Sequence, residues 1–285
     1  MFLDIHVTER CNLRCKHCYL NSEFFEEGRE MSFEMFTNLV DDLFSMNHRD
    51  DFRDVYLSGG ECTTHPRIAD MMKYIHYKYD SKVGIVTNGY KIPELLEQNA
   101  FRRDEAISIS VDGNREVHNW VRGEGSFEKV ERALRALQKH KKVGYNLHLT
   151  VHQKNIDQVR EVCEFGKMHG VGTVGINFFQ PVRGEEHPFD SVTVEQFREA
   201  QDIAAEYFGD KVKKEPCYLN GCHAGIGGLA VLPDGTYWDC ARNQKELGQY
   251  PEKLETAIYR NLLDLYGRQD SRNTCMKHYY NKERV

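Results

Sequence analysis

Three cysteines lie close together near the start of the chain, in Cys11-Asn-Leu-Arg-Cys15-Lys-His-Cys18. Thiolates at this spacing can hold three irons of a cubane cluster, and cysteine is the usual protein ligand for iron-sulfur clusters. The fourth iron then lacks a protein ligand, and an open iron beside a strand end is a place for a small molecule to chelate. Zinc is the plainer alternative. Structural zinc, however, takes four ligands, usually in paired Cys-x2-Cys or Cys/His spacing. His17, set between two of the cysteines, is too constrained to complete a tetrahedron with them.

A second group, Cys217, Cys222, Cys240 and Cys275, stands near the other end of the chain. Between Leu229 and Asp239 the sequence reads as two short strands about the turn Pro233-Asp234-Gly235. That hairpin brings Cys222 and Cys240 together at its open end, where they can share one ligand. Zinc remains a serious alternative here, because four thiolates saturate a tetrahedral ion. Of the other cysteines, Cys163 shares helical spacing with Ile156 and Val159 and reads as core. Nine cysteines, an odd number without a secretory leader, point to metal binding rather than a disulfide frame.

Strands and helices have to hold these groups in place. Residues 2–8 alternate apolar and polar and read as a strand delivering the first cysteine loop. Ser32 is the expected N-cap of a helix to about Met46, with Phe33, Phe36, Leu39, Val40, Leu43 and Phe44 on its apolar face. Strands follow at 54–58, 82–87, 106–111, 143–152 and 172–179. They alternate with helices at 67–79, 91–100, 126–140, 155–169 and 193–207. About six βα units of this kind predict an α/β fold, a parallel sheet rolled into a partial (β/α)6 barrel. In such folds functional residues collect at the C-terminal strand ends. Those ends carry Ser58-Gly59-Gly60-Glu61, Thr87-Asn88-Gly89, Ser110-Val-Asp112-Gly113, His152 and Asn177 to Gln180. Each is an ordinary turn sequence when taken singly. After residue 208 the βα rhythm stops, so the expected domains are 1–208, the barrel, and 209–285, a small hairpin-plus-helix extension with its helix at about 253–267.

The Cys-x3-Cys-x-aromatic-Cys pattern, followed by these strand ends in this order, resembles the radical S-adenosylmethionine (SAM) superfamily. The resemblance implies a SAM-binding 4Fe-4S cluster on Cys11, Cys15 and Cys18, with SAM chelating the open iron and His17 near its adenine. It implies cofactor-binding roles for Ser58, Gly59, Gly60, Glu61, Thr87, Asn88, Ser110 and Asp112. Gly59 and Gly60 would bind the methionine amino group through their carbonyls, and Ser110 and Asp112 would meet the ribose or the carboxylate. Arg122 resembles an arginine that grips that carboxylate; the alternative is a surface arginine at a helix end. Cys62 stands where relatives have proline, leaving a packed thiol or a hydrogen-atom donor to a substrate radical. The spacing from Cys222 through Gly235 to Cys240 resembles the opening of SPASM and twitch extensions, which hold auxiliary 4Fe-4S clusters. One auxiliary cluster on Cys217, Cys222, Cys240 and Cys275 is therefore expected, with the hairpin folded back so that it lies on the substrate side of the barrel mouth. Asn177, Phe179, Gln180 and Arg183 would offer a wall for a peptide backbone there.

The implied activity is reductive cleavage of SAM to a 5′-deoxyadenosyl radical, which abstracts a hydrogen atom from a peptide or protein substrate. Oxidation of a small molecule such as an aminosugar or nucleoside is the alternative, and a non-catalytic iron-sulfur electron carrier a remote one. A reduced flavodoxin- or ferredoxin-type donor is implied. Since no leader-binding segment is expected ahead of residue 2, so is a separate leader-peptide recognition protein. A net charge of −6 gives no basic footprint for nucleic acid. The absence of an 18-residue apolar run or a signal leader predicts no membrane span and a cytoplasmic location.

Overall fold

The computed structural model describes residues 2–20, 28–46, 54–103, 105–140, 143–181, 186–212, 228–241 and 244–267. Six parallel strands form the first part of one sheet: β1 (Phe2–Thr8), β2 (Asp54–Gly59), β3 (Val83–Thr87), β4 (Ala106–Ser110), β5 (Tyr145–Val151) and β6 (Val174–Phe178). Helices α1 (Phe33–Ser45), α2 (Ile68–Tyr79) and α3 (Ile92–Glu97) connect the first four strands. The β4–β5 connection holds two helices, α4 (Arg115–Arg122) and α5 (Ser126–Lys139). Helices α6 (Val159–Met168) and α7 (Val194–Phe208) complete the helical layer.

Ser32 caps α1 as expected, accepting the Met35 N–H at 3.1 Å. The stripe Phe36, Leu39, Val40 and Leu43 is buried against Leu3, Ile5 and Val7 of β1 in the common core. Burial of each such side chain contributes about 1.5–3 kcal/mol. Every strand of the barrel gives one face to this core: Val55 and Leu57, Val83 and Ile85, Ile107 and Ile109, Leu147 and Leu149, Val174 and Ile176.

The opposite face is polar. It carries Asp4 and His6, Tyr56 and Ser58, Ser108 and Ser110, Asn146, His148 and Thr150, and Asn177. A parallel sheet covered on both faces reads as continuous apolar runs, and a packed barrel fills its interior with branched apolar side chains. Alternation in these strands therefore marks a lumen left for solvent and ligand. Val86, in the middle of the sheet, is 36% exposed on this face.

The C-terminal hairpin joins the same sheet. β7 (Gly228–Val231) pairs parallel with β1, β8 (Thr236–Trp238) returns antiparallel, and β9 (Glu246–Gln249) follows, giving the order β6-β5-β4-β3-β2-β1-β7-β8-β9. The expected turn at Pro233-Asp234-Gly235 is present, and Gly235 has φ of +88°. Leu229, Val231, Tyr237 and Leu247, with Leu254 and Ala257 of α8 (Leu254–Gly267), belong to the barrel core. Among the described residues, no helix is long and apolar enough to cross a membrane.

Candidate functional site

The cysteine loop leaves the C-terminal end of β1 and is fixed from three sides. Gly60 and Glu61, at the end of β2, donate their N–H groups to Thr8 O and Arg10 O, each at 2.8 Å. A Cβ on Gly60 would stand 2.3 Å from Arg10 O, and one on Gly59, at φ of +117°, 2.2 Å from Thr8 O. The glycine pair is thus required by the approach of the loop backbone. From β3, Asn88 Nδ2 donates to Asn12 Oδ1 at 2.7 Å. From α4, Val121 O accepts the Lys16 N–H at 2.9 Å, and the Lys16 ammonium lies 3.7 Å from the Trp120 ring centroid. The return of the loop is tied down as well, since Met31 N–H donates to Val7 O and Glu9 N–H to Arg29 O.

These anchors bring Cys11, Cys15 and Cys18 together, outside any disulfide, as thiols that interact electrostatically. Burial pushes the Cys11 thiol up to about 11 and the Cys15 thiol up to about 12. A thiolate here needs a counter-charge, which iron supplies and which Arg122 supplements by placing Nη1 3.9 Å from Cys15 Sγ. Among the described residues, no three Cys, His, Asp or Glu side chains converge as around a single metal ion. A cubane gives each thiolate its own iron and does not require that convergence. The donor set fits a three-cysteine cluster.

Asp112 is fully buried at the end of β4, and the structure spends its carboxylate on the protein. Oδ2 accepts from Arg122 Nε and lies 2.8 Å from His17 Nε2, while Oδ1 accepts the Thr150 N–H at 3.3 Å. Burial works against its charge, yet Arg122 and His17 hold the carboxyl well below the usual range. Burial likewise opposes the Arg122 charge, and Asp112 overcomes it, raising the guanidinium pKa. Arg122 is 9% exposed. The arginine therefore lies inside, against the cluster loop, not on the surface at the helix end.

Glu61 is similarly committed. Its Oε1 accepts from Thr87 Oγ1 at 2.7 Å and from Thr63, and its Oε2 accepts the Asn88 N–H at 2.7 Å. Burial pushes its pKa up in spite of these donors. Ser58 donates to Asp4, and Ser110 stands on the lumen face level with His148. Cys62 is fully buried, its thiol directed at Val86 O at 3.5 Å, and burial pushes it well above the ordinary value. That is the packed alternative of the two. Cys163 is core, as expected. His152 is stacked on Phe189 at 3.7 Å between ring centroids, and burial lowers its pKa to about 4.

Two features escaped the sequence. Helix α4 carries its buried face on His118, Asn119, Val121 and Arg122, so apolar periodicity cannot reveal it. Asn114, which caps it by accepting the Val117 N–H at 3.0 Å, was the available signal. The second feature is the polar lumen, announced by the alternation in parallel strands.

Of the second cysteine group, Cys217, Cys222 and Cys275 lie outside the described residues, as does Arg183. Cys240 is described, and it corrects the expected placement. Ala230 of β7 is level with Asp4 of β1 and with Trp238 of β8, and β8 runs against β1. Two residues beyond Trp238, Cys240 is therefore at the N-terminal end of the barrel strands, roughly 20 Å along the sheet from the loop that carries the first triad, at about 3.3 Å per residue. The hairpin extends the sheet rather than folding over its mouth, because β7 pairs with the free edge of β1.

Comparison with known proteins agrees with this geometry. The chain is 28% identical over 251 residues to the antilisterial bacteriocin subtilosin biosynthesis protein AlbA of Bacillus subtilis, covering 84% of this chain and 54% of AlbA. It is 31% identical over 255 residues to the mycofactocin maturase MftC of Mycolicibacterium smegmatis, covering 82% of this chain and 62% of MftC. The chain thus spans between half and two thirds of the length of these relatives. The structure of Streptococcus suis SuiB bound to precursor peptide SuiA shares the fold, with a TM-score of 0.73 at 15% identity over 95% of this chain and 66% of SuiB. The family model of the radical SAM superfamily matches residues 5–166, from within the first strand into α6, so the cysteine loop, the glycine pair and the ends of β1 to β5 fall inside it, and the chain belongs to that superfamily.

Proposed function

We propose that this chain is an enzyme that cleaves SAM reductively and abstracts a hydrogen atom from a peptide substrate. The observation that carries the reading is the presentation of Cys11, Cys15 and Cys18 on one anchored loop at the mouth of a polar lumen. The names of AlbA and MftC, a bacteriocin biosynthesis protein and a maturase, and the precursor peptide bound to SuiB support the substrate class.

When bound, the 4Fe-4S cluster and SAM supply an electron and a carbon–sulfur bond whose cleavage leaves a 5′-deoxyadenosyl radical able to take hydrogen from substrate. The chain's own residues hold the parts in place. Asp112 fixes Arg122 and His17, with the guanidinium beside Cys15, so Arg122 would be the residue to meet the carboxylate of SAM. Glu61 ties the ends of β2 and β3 and leaves the Gly59 and Gly60 carbonyls for the methionine amino group. Ser58, Thr87, Asn88 and Ser110 complete the cofactor's surroundings, and the lumen holds substrate. Glu61 and Asp112 act in this reading as positioning residues, since their oxygens are already engaged.

We further infer that residues 209–285 form an extension of SPASM or twitch type holding one auxiliary 4Fe-4S cluster on Cys217, Cys222, Cys240 and Cys275. The placement of Cys240 supports a cluster at the end of the lumen opposite the first triad. The partners proposed are a reduced flavodoxin or ferredoxin and a separate leader-recognition protein, in the cytoplasm.

The test is to incubate the reduced, reconstituted protein with SAM and each short peptide encoded beside its gene, and to follow peptide mass. A change that requires SAM supports the reading. Oxidation of an aminosugar or nucleoside with every peptide unchanged would replace it with the small-molecule alternative.

A further inference from the structure

Deep in the lumen, below the loop, stands a carboxylate without a matching cation. Asp4 Oδ1 accepts from Ser58 Oγ, and Oδ2 lies 3.4 Å from His6 Nε2. No lysine or arginine among the described residues pairs with it. Its side chain keeps 20% of its exposure, toward the lumen, whereas His6 is 2% exposed. His6 Nε2 is buried, close to Asp4, and makes no hydrogen bond. A buried ring nitrogen left in this condition costs free energy unless a ligand or water completes it.

The surrounding wall is shaped to leave room. Tyr56, level with Asp4, lies flat across β3, where a Cβ on Gly84 would come within 2.3 Å of its ring. His148 lies in the same way over Gly175, 3.0 Å from where a Cβ would stand. Tyr56 and His148 thus each lie over a glycine of the next strand along the sheet from β1, while the Asp4 side chain keeps its partial exposure.

We propose that Asp4, oriented by Ser58 and flanked by His6, is a subsite for a positively charged side chain of the substrate, an ammonium or a guanidinium. A carboxylate oxygen and, in the tautomer that leaves Nε2 an acceptor, an imidazole nitrogen this close together are both satisfied by one group with several N–H donors. A metal ion is a poorer occupant, since one carboxylate and one imidazole supply too few ligands and no third converges among the described residues. Asp4 is four residues below Thr8, about 13 Å at about 3.3 Å per residue. A lysine or arginine side chain reaching it would keep its backbone end higher in the lumen, toward the cysteine loop. Hydrogen abstraction would then fall on carbons near the backbone, away from the charged tip. This subsite rests on the proposed substrate space, and its test is independent of SAM cleavage.

The probes are n-butylguanidinium and its neutral isostere n-butylurea, titrated at fixed ionic strength into the reconstituted full chain with SAM and followed by saturation-transfer NMR. The wild-type protein should bind the cation at least about tenfold more tightly than the urea, the scale of a charge-assisted pair in a partly enclosed site. Asp4→Asn should abolish the preference, Asp4→Glu should keep part of it, and Ser58→Ala should weaken it. Equal affinity for the two probes in the wild type would overturn the proposal. So would an undiminished preference in Asp4→Asn that retains the visible absorption of its clusters. If Asp4→Asn fails to fold, the wild-type comparison and Asp4→Glu still decide. A cation-indifferent protein that forms 5′-deoxyadenosine would sink the subsite alone, whereas Asp4-dependent cation binding without any 5′-deoxyadenosine would sustain the subsite and sink the enzymatic reading.

Discussion

Glu61 accepts the backbone N–H of Asn88 through Oε2 at 2.7 Å, so one buried carboxylate joins the end of β2 to the end of β3 beneath the cysteine loop. Its other oxygen takes the Thr87 hydroxyl and both donors of Thr63. Replacing Glu61 with Gln puts an amide donor where an N–H already points. The variant should lose about 2 kcal/mol, in the range for a hydrogen bond to a charged group. Urea denaturation of the reconstituted protein measures it. A loss below about 0.5 kcal/mol would show that this junction is held by other contacts.

Asp112 and Arg122 form a buried ion pair in which each charge offsets the other. Asp112→Asn and Arg122→Gln should each cost about 3–5 kcal/mol, because each leaves a buried charge uncompensated. The double variant should cost less than the sum, with a coupling of about 1–3 kcal/mol in a double-mutant cycle. Strict additivity would mean that the two charges do not depend on one another.

Gly60→Ala should dislodge the loop while leaving the helical layer intact, since the added Cβ meets backbone oxygens of Glu9 and Arg10, which cannot rotate away. Iron and sulfide bound at the first triad should fall by more than about half, four irons being the content of one cubane, with the far-UV spectrum nearly unchanged. Full iron uptake would show that the strand end tolerates the shift.

The alternation in residues 2–8 and the strand–helix rhythm after it placed all six barrel strands to within a few residues, because their outer faces are apolar and pack on helices. The strand ends were legible for the same reason: the chain changes from alternating residues to Gly, Asn and Asp where it leaves the sheet. Helix α4 was not legible, since His118, Asn119 and Arg122 are buried there for their polar contacts. The position of Cys240 was not legible either. The hairpin could be read from Pro233-Asp234-Gly235, but its docking on β1 depends on a free sheet edge that no local pattern announces.

With both cysteine groups loaded, the protein should bind about eight irons, four for each cubane. The Cys11/Cys15/Cys18→Ala triple variant should keep roughly half. Zinc in place of iron at the second group would refute the auxiliary cluster and leave the first site untouched.

The role of the cysteine loop is decided by 5′-deoxyadenosine formation from SAM in the reduced protein without substrate, compared among wild type, Cys15→Ala and Cys163→Ala. Cys15 is on the anchored loop and Cys163 is in the core. Wild type and Cys163→Ala should form it slowly, and Cys15→Ala should form none. Formation by Cys15→Ala at the wild-type rate would contradict that role.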